Sequence, residues 1–162
     1  MISERKLKEY LKETQIQANL YSGCRKVQVG SLLIPHNTKT FIYGANRAIP
    51  DICKSKDGQC HRIELYGDDF KEHRLPSDCR AIHSEIDVIT QAAKYGIPTQ
   101  NATLIVTRYP CEACARAIVS AGIKYVYYGR EQEISDETAK IFQSGHVHVK
   151  HISDWTYEDT RR

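Results

Sequence analysis

The chain has 162 residues, and 23 lysines and arginines against 20 aspartates and glutamates give it a formal net charge of +3. This length is enough for one domain with a substantial core, and the interleaved charges do not form the basic stripe that nucleic-acid binding requires. We see no secretory signal and no apolar run of membrane-spanning length, so we expect a cytoplasmic protein whose six cysteines are reduced thiols or metal ligands.

The first half of the chain predicts one helix, one β-hairpin and one irregular insert. Residues 3–21 predict a helix with one face formed by Leu7, Tyr10, Leu11, Thr14, Ala18 and Tyr21. Two strand-like runs, at 27–34 and 40–45, are joined by a turn-prone sequence and predict a hairpin. From about 47 to 79 the periodicity is lost. An irregular segment of that length is expected to be functional, tied by a metal or partly folded.

The second half alternates helices with strands. Helices are predicted at 83–96, 111–122 and 135–143, and strands at 102–107, 125–128 and 147–152. In the helix that starts at His83, the predicted core-facing residues are Ile82, Ile86, Ile89 and Ala93. This alternation indicates parallel pairing and a sheet covered by helices, which is the α/β class.

Two short motifs supply metal ligands, and each opens a predicted helix. The first is His83-Ser84-Glu85, and the second is Pro110-Cys111-Glu112-Ala113-Cys114, directly after a strand. Cys111 and Cys114 are three residues apart on one helical face, so both sulfurs can bind one ion. The helix N-terminus favours their thiolate forms. With His83 they make three ligands, the number that a catalytic zinc site uses because water takes the fourth position.

Glu85 is a carboxylate that the metal does not need as a ligand. Zinc with an open position lowers the pKa of its water towards about 7, and a nearby carboxylate can accept the proton. Taken alone, a C-x-x-C pair also occurs in redox and structural zinc sites, and a glutamate at a helix start is favoured by the helix dipole. The combination in this order predicts an enzyme with Glu85 as its proton shuttle.

These motifs resemble the zinc-dependent cytidine and deoxycytidylate deaminases, in which H-x-E is followed by P-C-x-x-C. The likeness to deoxycytidylate (dCMP) deaminases runs from about residue 27 to 149 and includes Tyr43-Gly44-Ala45-Asn46. It implies one deaminase domain over 1–162, with a three-layer fold in which helices cover a mixed sheet of about five strands. It also implies a catalytic zinc, hydrolysis of the nucleotide dCMP to dUMP, and a homo-oligomer. Asn46 would bind the substrate near the sugar, although a simple turn role stays open.

The chain departs from the family pattern in two motifs. The family often has Gly-Tyr-Asn-Gly where this chain has Gly44-Ala45-Asn46-Arg47, and often His-Ala-Glu with an asparagine two places later where this chain has His83-Ser84-Glu85 and Asp87. Arg47 could face a phosphate, but a solvated loop residue is the favoured interpretation. The substrate therefore stays open among dCMP, cytidine, guanine and tRNA adenosine. A non-catalytic zinc-bound interaction module is a further alternative, against which Glu85 argues.

The remaining cysteines, Cys24, Cys53, Cys60 and Cys79, lie before the second motif, together with His61 and His73. Some dCMP deaminases resemble this arrangement in carrying a second zinc that holds the corresponding insert. A second, structural zinc would keep such a segment ordered. Because the spacing is irregular, ordinary thiols are an equally acceptable interpretation.

Overall fold

Ten helices and strands make up the described part of the chain. The computed structural model describes residues 2–24, 27–49, 52–53, 60–67, 79–131, 136–153 and 155. The helices are α1 (Glu4–Tyr21), α2 (His61–Tyr66), α3 (Ser84–Lys94), α4 (Glu112–Ser120) and α5 (Asp136–Ser144). The strands are β1 (Gly30–Ile34), β2 (Ile42–Ala45), β3 (Thr103–Arg108), β4 (Tyr125–Arg130) and β5 (His148–His151).

The five strands form one mixed sheet with the order β2-β1-β3-β4-β5. The hairpin partners β1 and β2 are antiparallel, β1 is also antiparallel to β3, and β3, β4 and β5 are parallel. Parallel neighbours need a crossover, and α4 and α5 provide the two crossovers here. Gly30 pairs with Ala45, and Ser31 pairs with Val106. The start of β1 and the ends of β2 and β3 therefore share one edge of the sheet.

Helices cover both faces of the sheet, which confirms the predicted three-layer α/β fold. On one face, α1 packs Leu7 and Leu11 against Leu32 and Ile105. On the other face, α3, α4 and α5 form a larger cluster with the sheet, which includes Val88, Ala92, Leu104, Ile118, Val126 and Phe142. Full burial of a Val, Leu, Ile or Phe side chain contributes roughly 1.5–3 kcal/mol to the stability of the fold. Among the described residues, no helix has both the length and the apolar composition needed to cross a membrane.

Some local predictions differ from the structure. The first strand begins at Gly30 rather than at 27, and α2 forms inside the segment predicted to be irregular. The first helix begins at Glu4 rather than at residue 3, because Ser3 is its N-cap and accepts a hydrogen bond from the backbone N–H of Lys6. Tyr21, predicted on the same face of α1 as Leu7 and Leu11, is the last residue of the helix and is 65% exposed.

The buried face of α3 was predicted only in part. Ile89 packs against the core as predicted, whereas Ala93 is exposed. The buried residues of the helix are Ser84, Glu85, Asp87, Val88 and Ala92. The prediction placed the most apolar positions in the core. The helix instead turns three polar side chains inward, and these are satisfied by hydrogen bonds to one another and to β1 and β2. A buried polar face is unusual in a surface helix and indicates a functional site.

Candidate active site

Two helix starts meet near the edge of the sheet where β3 ends. His83 is the N-cap residue of α3, and Cys111 is the N-cap residue of α4. Both have extended backbone, and neither side chain caps its own helix, so both are available to another partner. Cys114 is buried in the first turn of α4. The link from β3 to α4 is held by the N–H of Tyr109, which donates to the Arg130 carbonyl at 2.9 Å.

The side chains of His83, Cys111 and Cys114 lie at distances that fit a zinc ion. Nδ1 of His83 is 3.5 Å from Sγ of Cys111 and 3.4 Å from Sγ of Cys114. All three donor atoms are within 4.8 Å of one another. Tetrahedral bonds of about 2.3 Å to sulfur and about 2.0 Å to nitrogen would separate N from S by about 3.5 Å. In the part of the chain that the structure describes, no other group of potential ligands is arranged in this way.

The pKa values of these three side chains are shifted in different directions. Hydrogen bonds with Cys114 and His83 lower the pKa of Cys111 to about 4. Hydrogen bonds with Cys111 and Cys79 raise the pKa of His83 to about 10. The pKa of Cys114 is raised, because it donates to Cys111 and is buried. One thiolate is thus favoured by the protein itself, and a metal would have to displace protons from the other two groups.

Glu85 lies beside this group. Its side chain is buried, with 4% of the residue exposed, and burial raises the pKa of its carboxyl. A hydrogen bond with Glu85 also contributes to the raised pKa of Cys114, which places the carboxylate next to that sulfur. A buried carboxyl with a raised pKa can accept and return a proton near neutral pH. The role of Glu85 as proton shuttle stays a prediction.

Two buried hydroxyls connect Glu85 to the sheet. Oγ of Ser84 donates to Oε2 of Glu85 at 3.1 Å and lies 2.8 Å from Oγ of Ser31. Because the single proton of Ser84 goes to the carboxylate, Ser31 donates the second bond. Both serines are 0% exposed. Sequence reasoning missed Ser31, although a hydroxyl in the apolar run 29–34 was a usable signal.

Asn46 is held by the segment that joins α1 to β1. Its Oδ1 accepts from Oγ of Ser22 at 2.6 Å and from the N–H of Val29 at 2.9 Å. Its Nδ2 donates to the Val27 carbonyl at 2.8 Å. Asn46 is 8% exposed, so most of its amide serves the protein itself. Substrate binding by Asn46 stays a prediction.

Arg47 and Asp87, which both depart from the family pattern, contact each other. Nη2 of Arg47 donates to Oδ1 of Asp87, and the two side chains are 51% and 3% exposed. Oδ2 of Asp87 accepts from the N–H of Ala45 at 3.2 Å and from Nε2 of Gln91 at 3.1 Å. Arg47 is half-exposed, as a solvated residue would be, yet a buried carboxylate holds its guanidinium.

The remaining cysteines line a small cavity of about 20 Å³. Its walls are formed by Cys24, Cys53, Cys60, His61, Arg62, Cys79, Arg80 and Ala81. In the described part of the chain these four cysteines form no disulfide, and they are partly buried. Within the described ranges their donor atoms do not form a close metal-binding group, and His73 lies outside those ranges. Cys79 also hydrogen-bonds His83, which lowers the pKa of Cys79. A second zinc here stays a prediction.

The fold and the site together are those of the cytidine and deoxycytidylate deaminase family. The H-x-E motif at the start of α3 lies against the C-x-x-C motif at the start of α4, which is the zinc deaminase signature, on a five-stranded mixed sheet. The chain belongs to the MafB19-like deaminase family, whose model matches residues 6–156. Deamination by this family is hydrolytic, which makes the chain a member of a hydrolase family.

Two relatives are similar to parts of this chain. ComE operon protein 2 of Bacillus subtilis (strain 168) is 30% identical over 133 residues, which are 82% of this chain and 64% of that protein. The deoxycytidylate deaminase of Enterobacteria phage T2 is 42% identical over 62 residues, or 36% of this chain and 33% of that protein. The chain thus spans less than two thirds of the length of either relative.

A solved structure confirms the fold. The dCMP deaminase from the cyanophage S-TIM5, in complex with dCMP and dUMP, superposes on this chain with a TM-score of 0.69. The superposition covers 93% of this chain and 99% of the cyanophage chain, at 22% sequence identity. The predicted cytidine-deaminase-like architecture is therefore correct.

Proposed function

We propose that the chain is a zinc-dependent deaminase that converts dCMP and water into dUMP and ammonia. The observation that carries this proposal is a buried Glu85 beside a His-Cys-Cys group with zinc-ligand spacing. A structural zinc site uses four protein ligands, whereas a catalytic one uses three and needs a proton-transfer group nearby. His83, Cys111, Cys114 and Glu85 meet the second description.

Glu85 moves both protons of the reaction. When bound by His83, Cys111 and Cys114, zinc supplies a Lewis acid that makes water nucleophilic near neutral pH. Glu85 accepts one proton from this water and gives it to ring nitrogen N3 as the oxygen bonds to C4. Glu85 then accepts the second proton and gives it to the amino group, which leaves as ammonia when the C4–N bond breaks. Both water protons are accounted for, and Glu85 ends as it began.

The choice of dCMP as the substrate rests on the similarity of this chain to dCMP deaminases. The phage T2 relative is named a deoxycytidylate deaminase, and the structurally similar cyanophage enzyme was solved with dCMP and dUMP. The modest net charge of +3 argues against a large nucleic-acid substrate such as tRNA. A small-molecule nucleotide is therefore the proposed substrate, with Asn46 contacting it near the sugar.

The other features follow from the same proposal. One deaminase domain over 1–162 is supported by the family match to residues 6–156. We propose that its insert at about 47–79 is held by a structural zinc, since four thiols and His61 surround one cavity. The protein would act in the cytoplasm as a homo-oligomer. Metal analysis tests the insert, because one zinc per folded, active chain would exclude the second site.

A panel of amines tests the substrate. Ammonia release is measured with cytidine, CMP, dCMP, dCTP, adenosine, guanine and a tRNA anticodon stem-loop. We expect kcat/KM to be highest for dCMP. A clear preference for another amine would refute dCMP but keep the deamination, and no release from any of them by zinc-loaded protein would refute the enzyme.

Glu85→Gln tests the mechanism. Glutamine keeps the shape of the side chain but cannot shuttle a proton, so turnover should fall by about 100-fold to 10,000-fold with zinc content unchanged. Glu137→Gln is the control, because Glu137 is an exposed glutamate on α5. It should keep normal turnover. Near-normal turnover of Glu85→Gln would contradict the mechanism.

A further inference from the structure

Arg47 lies directly beside the segment that carries the metal ligand His83. The N–H of Arg47 donates to the Ile82 carbonyl at 2.9 Å, and the N–H of Ile82 donates back to the Arg47 carbonyl at 2.8 Å. Ile82 immediately precedes His83. The end of β2 is therefore fastened to the entry of α3 by two backbone hydrogen bonds.

Asp87 is a buried carboxylate that needs a positive partner. Its side chain is 3% exposed, and it receives hydrogen bonds from the N–H of Ala45, the amide of Gln91 and the guanidinium of Arg47. Of these three donors, Arg47 alone carries a charge. A buried charge is costly unless it is paired, and removing one partner of such a pair is strongly destabilising.

The same carboxylate holds the chain on both sides of Asn46. It binds the backbone of Ala45 through Oδ2 and the side chain of Arg47 through Oδ1. Asp87 and Glu85 lie in the first turn of the same helix. The Asp87 carboxylate is packed closely against β2, since a Cβ on Gly44 would lie 3.0 Å from its Oδ2.

We propose that Arg47 and Asp87 are positioning residues for the deamination. Their ion pair fixes the 45–47 segment against α3 and so sets how the substrate fits beside Glu85. This inference rests on the proposed function. The two side chains also depend on each other, because Arg47 is the charged partner of the buried Asp87 carboxylate. Replacing either residue alone is then harmful, and replacing both removes the unpaired charge.

A double-mutant cycle tests the pair. Arg47→Gly, Asp87→Asn and the double variant are compared with the wild type for KM and kcat on dCMP, zinc content and free energy of unfolding. Arg47→Gly should raise KM by about tenfold with kcat within about threefold, since it leaves a buried carboxylate unpaired. Asp87→Asn should have a smaller effect, because half-exposed Arg47 can reach water. The double variant should return KM to within about threefold of the wild type.

A second ion pair, far along the chain from Arg47 and Asp87, serves as the control. Lys140 and Glu137 form an exposed ion pair on α5, and their glutamine variants should change KM neither singly nor together. If Arg47→Gly does not fold, Arg47→Gln removes the same charge and should raise KM similarly. Additive effects on KM, or lost stability with unchanged KM, would overturn the positioning role. An inactive wild type would overturn the proposed function, and this inference with it.

Discussion

Replacing Ser84 with alanine removes the hydroxyl that links Glu85 to β1. Ser84 donates to the carboxylate and accepts from Ser31, and both serines are fully buried. The alanine variant therefore loses two hydrogen bonds and leaves the Ser31 hydroxyl without its partner. A buried unsatisfied polar group costs about 1–3 kcal/mol. We expect the free energy of unfolding to fall within that range.

The companion variant Ser31→Ala separates stability from activity. It removes one hydrogen bond but keeps the contact between Ser84 and Glu85, so it should cost about 1 kcal/mol of stability. The double variant leaves no orphaned hydroxyl and should cost less than the sum of the single variants by about 1 kcal/mol or more. Turnover should fall about fivefold in Ser84→Ala, which corresponds to one lost hydrogen bond, and less than about twofold in Ser31→Ala.

Urea unfolding and steady-state deamination of the preferred amine measure these effects. All four proteins are compared at matched zinc content. Additive losses of stability would show that the two hydroxyls are not coupled. Equal turnover of Ser84→Ala and the wild type would show that the carboxylate does not depend on Ser84.

Three further variants probe the metal group and the packing around it. Cys114→Ser should lower the zinc bound per chain and turnover in proportion, and unchanged zinc by metal analysis would remove Cys114 from the ligand set. Gly44→Ala should cost about 1–3 kcal/mol in urea unfolding, because its Cβ would lie 2.6 Å from Cγ1 of Val88; a neutral result would mean that β2 can move away from α3. Leu104→Ala should cost about 2–5 kcal/mol while zinc content stays unchanged, since Leu104 is fully buried away from the ligands; lost zinc in folded protein would contradict that separation.

The fold was predictable because local patterns agree with the global arrangement. Alternating helical and strand-like runs in the second half gave the parallel part of the sheet, and the turn at 35–38 gave the hairpin. The two metal motifs could be found because their ligands stand at helix starts with short spacing. Antiparallel pairing of β1 with β3 joins residues more than sixty positions apart, and local sequence carries no signal for it.

The surroundings of Glu85 were harder to predict for the same reason. Ser31 and Ser84 are 53 residues apart, and Arg47 and Asp87 are 40 apart. Hydrophobic periodicity also misplaced the buried face of α3, because it cannot recognise polar residues that are buried to serve a site. The departures at Arg47 and Asp87 were visible in the sequence, but only the folded chain shows that the two side chains contact each other.

The two backbone hydrogen bonds between Arg47 and Ile82 also close the base of the loop that runs between these residues. They bring the two ends of the 48–81 stretch together at its base, so its length does not determine where His83 lies. Lengthening a closed loop is inexpensive, at about 0.6 kcal/mol for each doubling of its residues. Changes in the length of this stretch should therefore cost little in loop closure, provided that Cys79, which hydrogen-bonds His83, keeps its place.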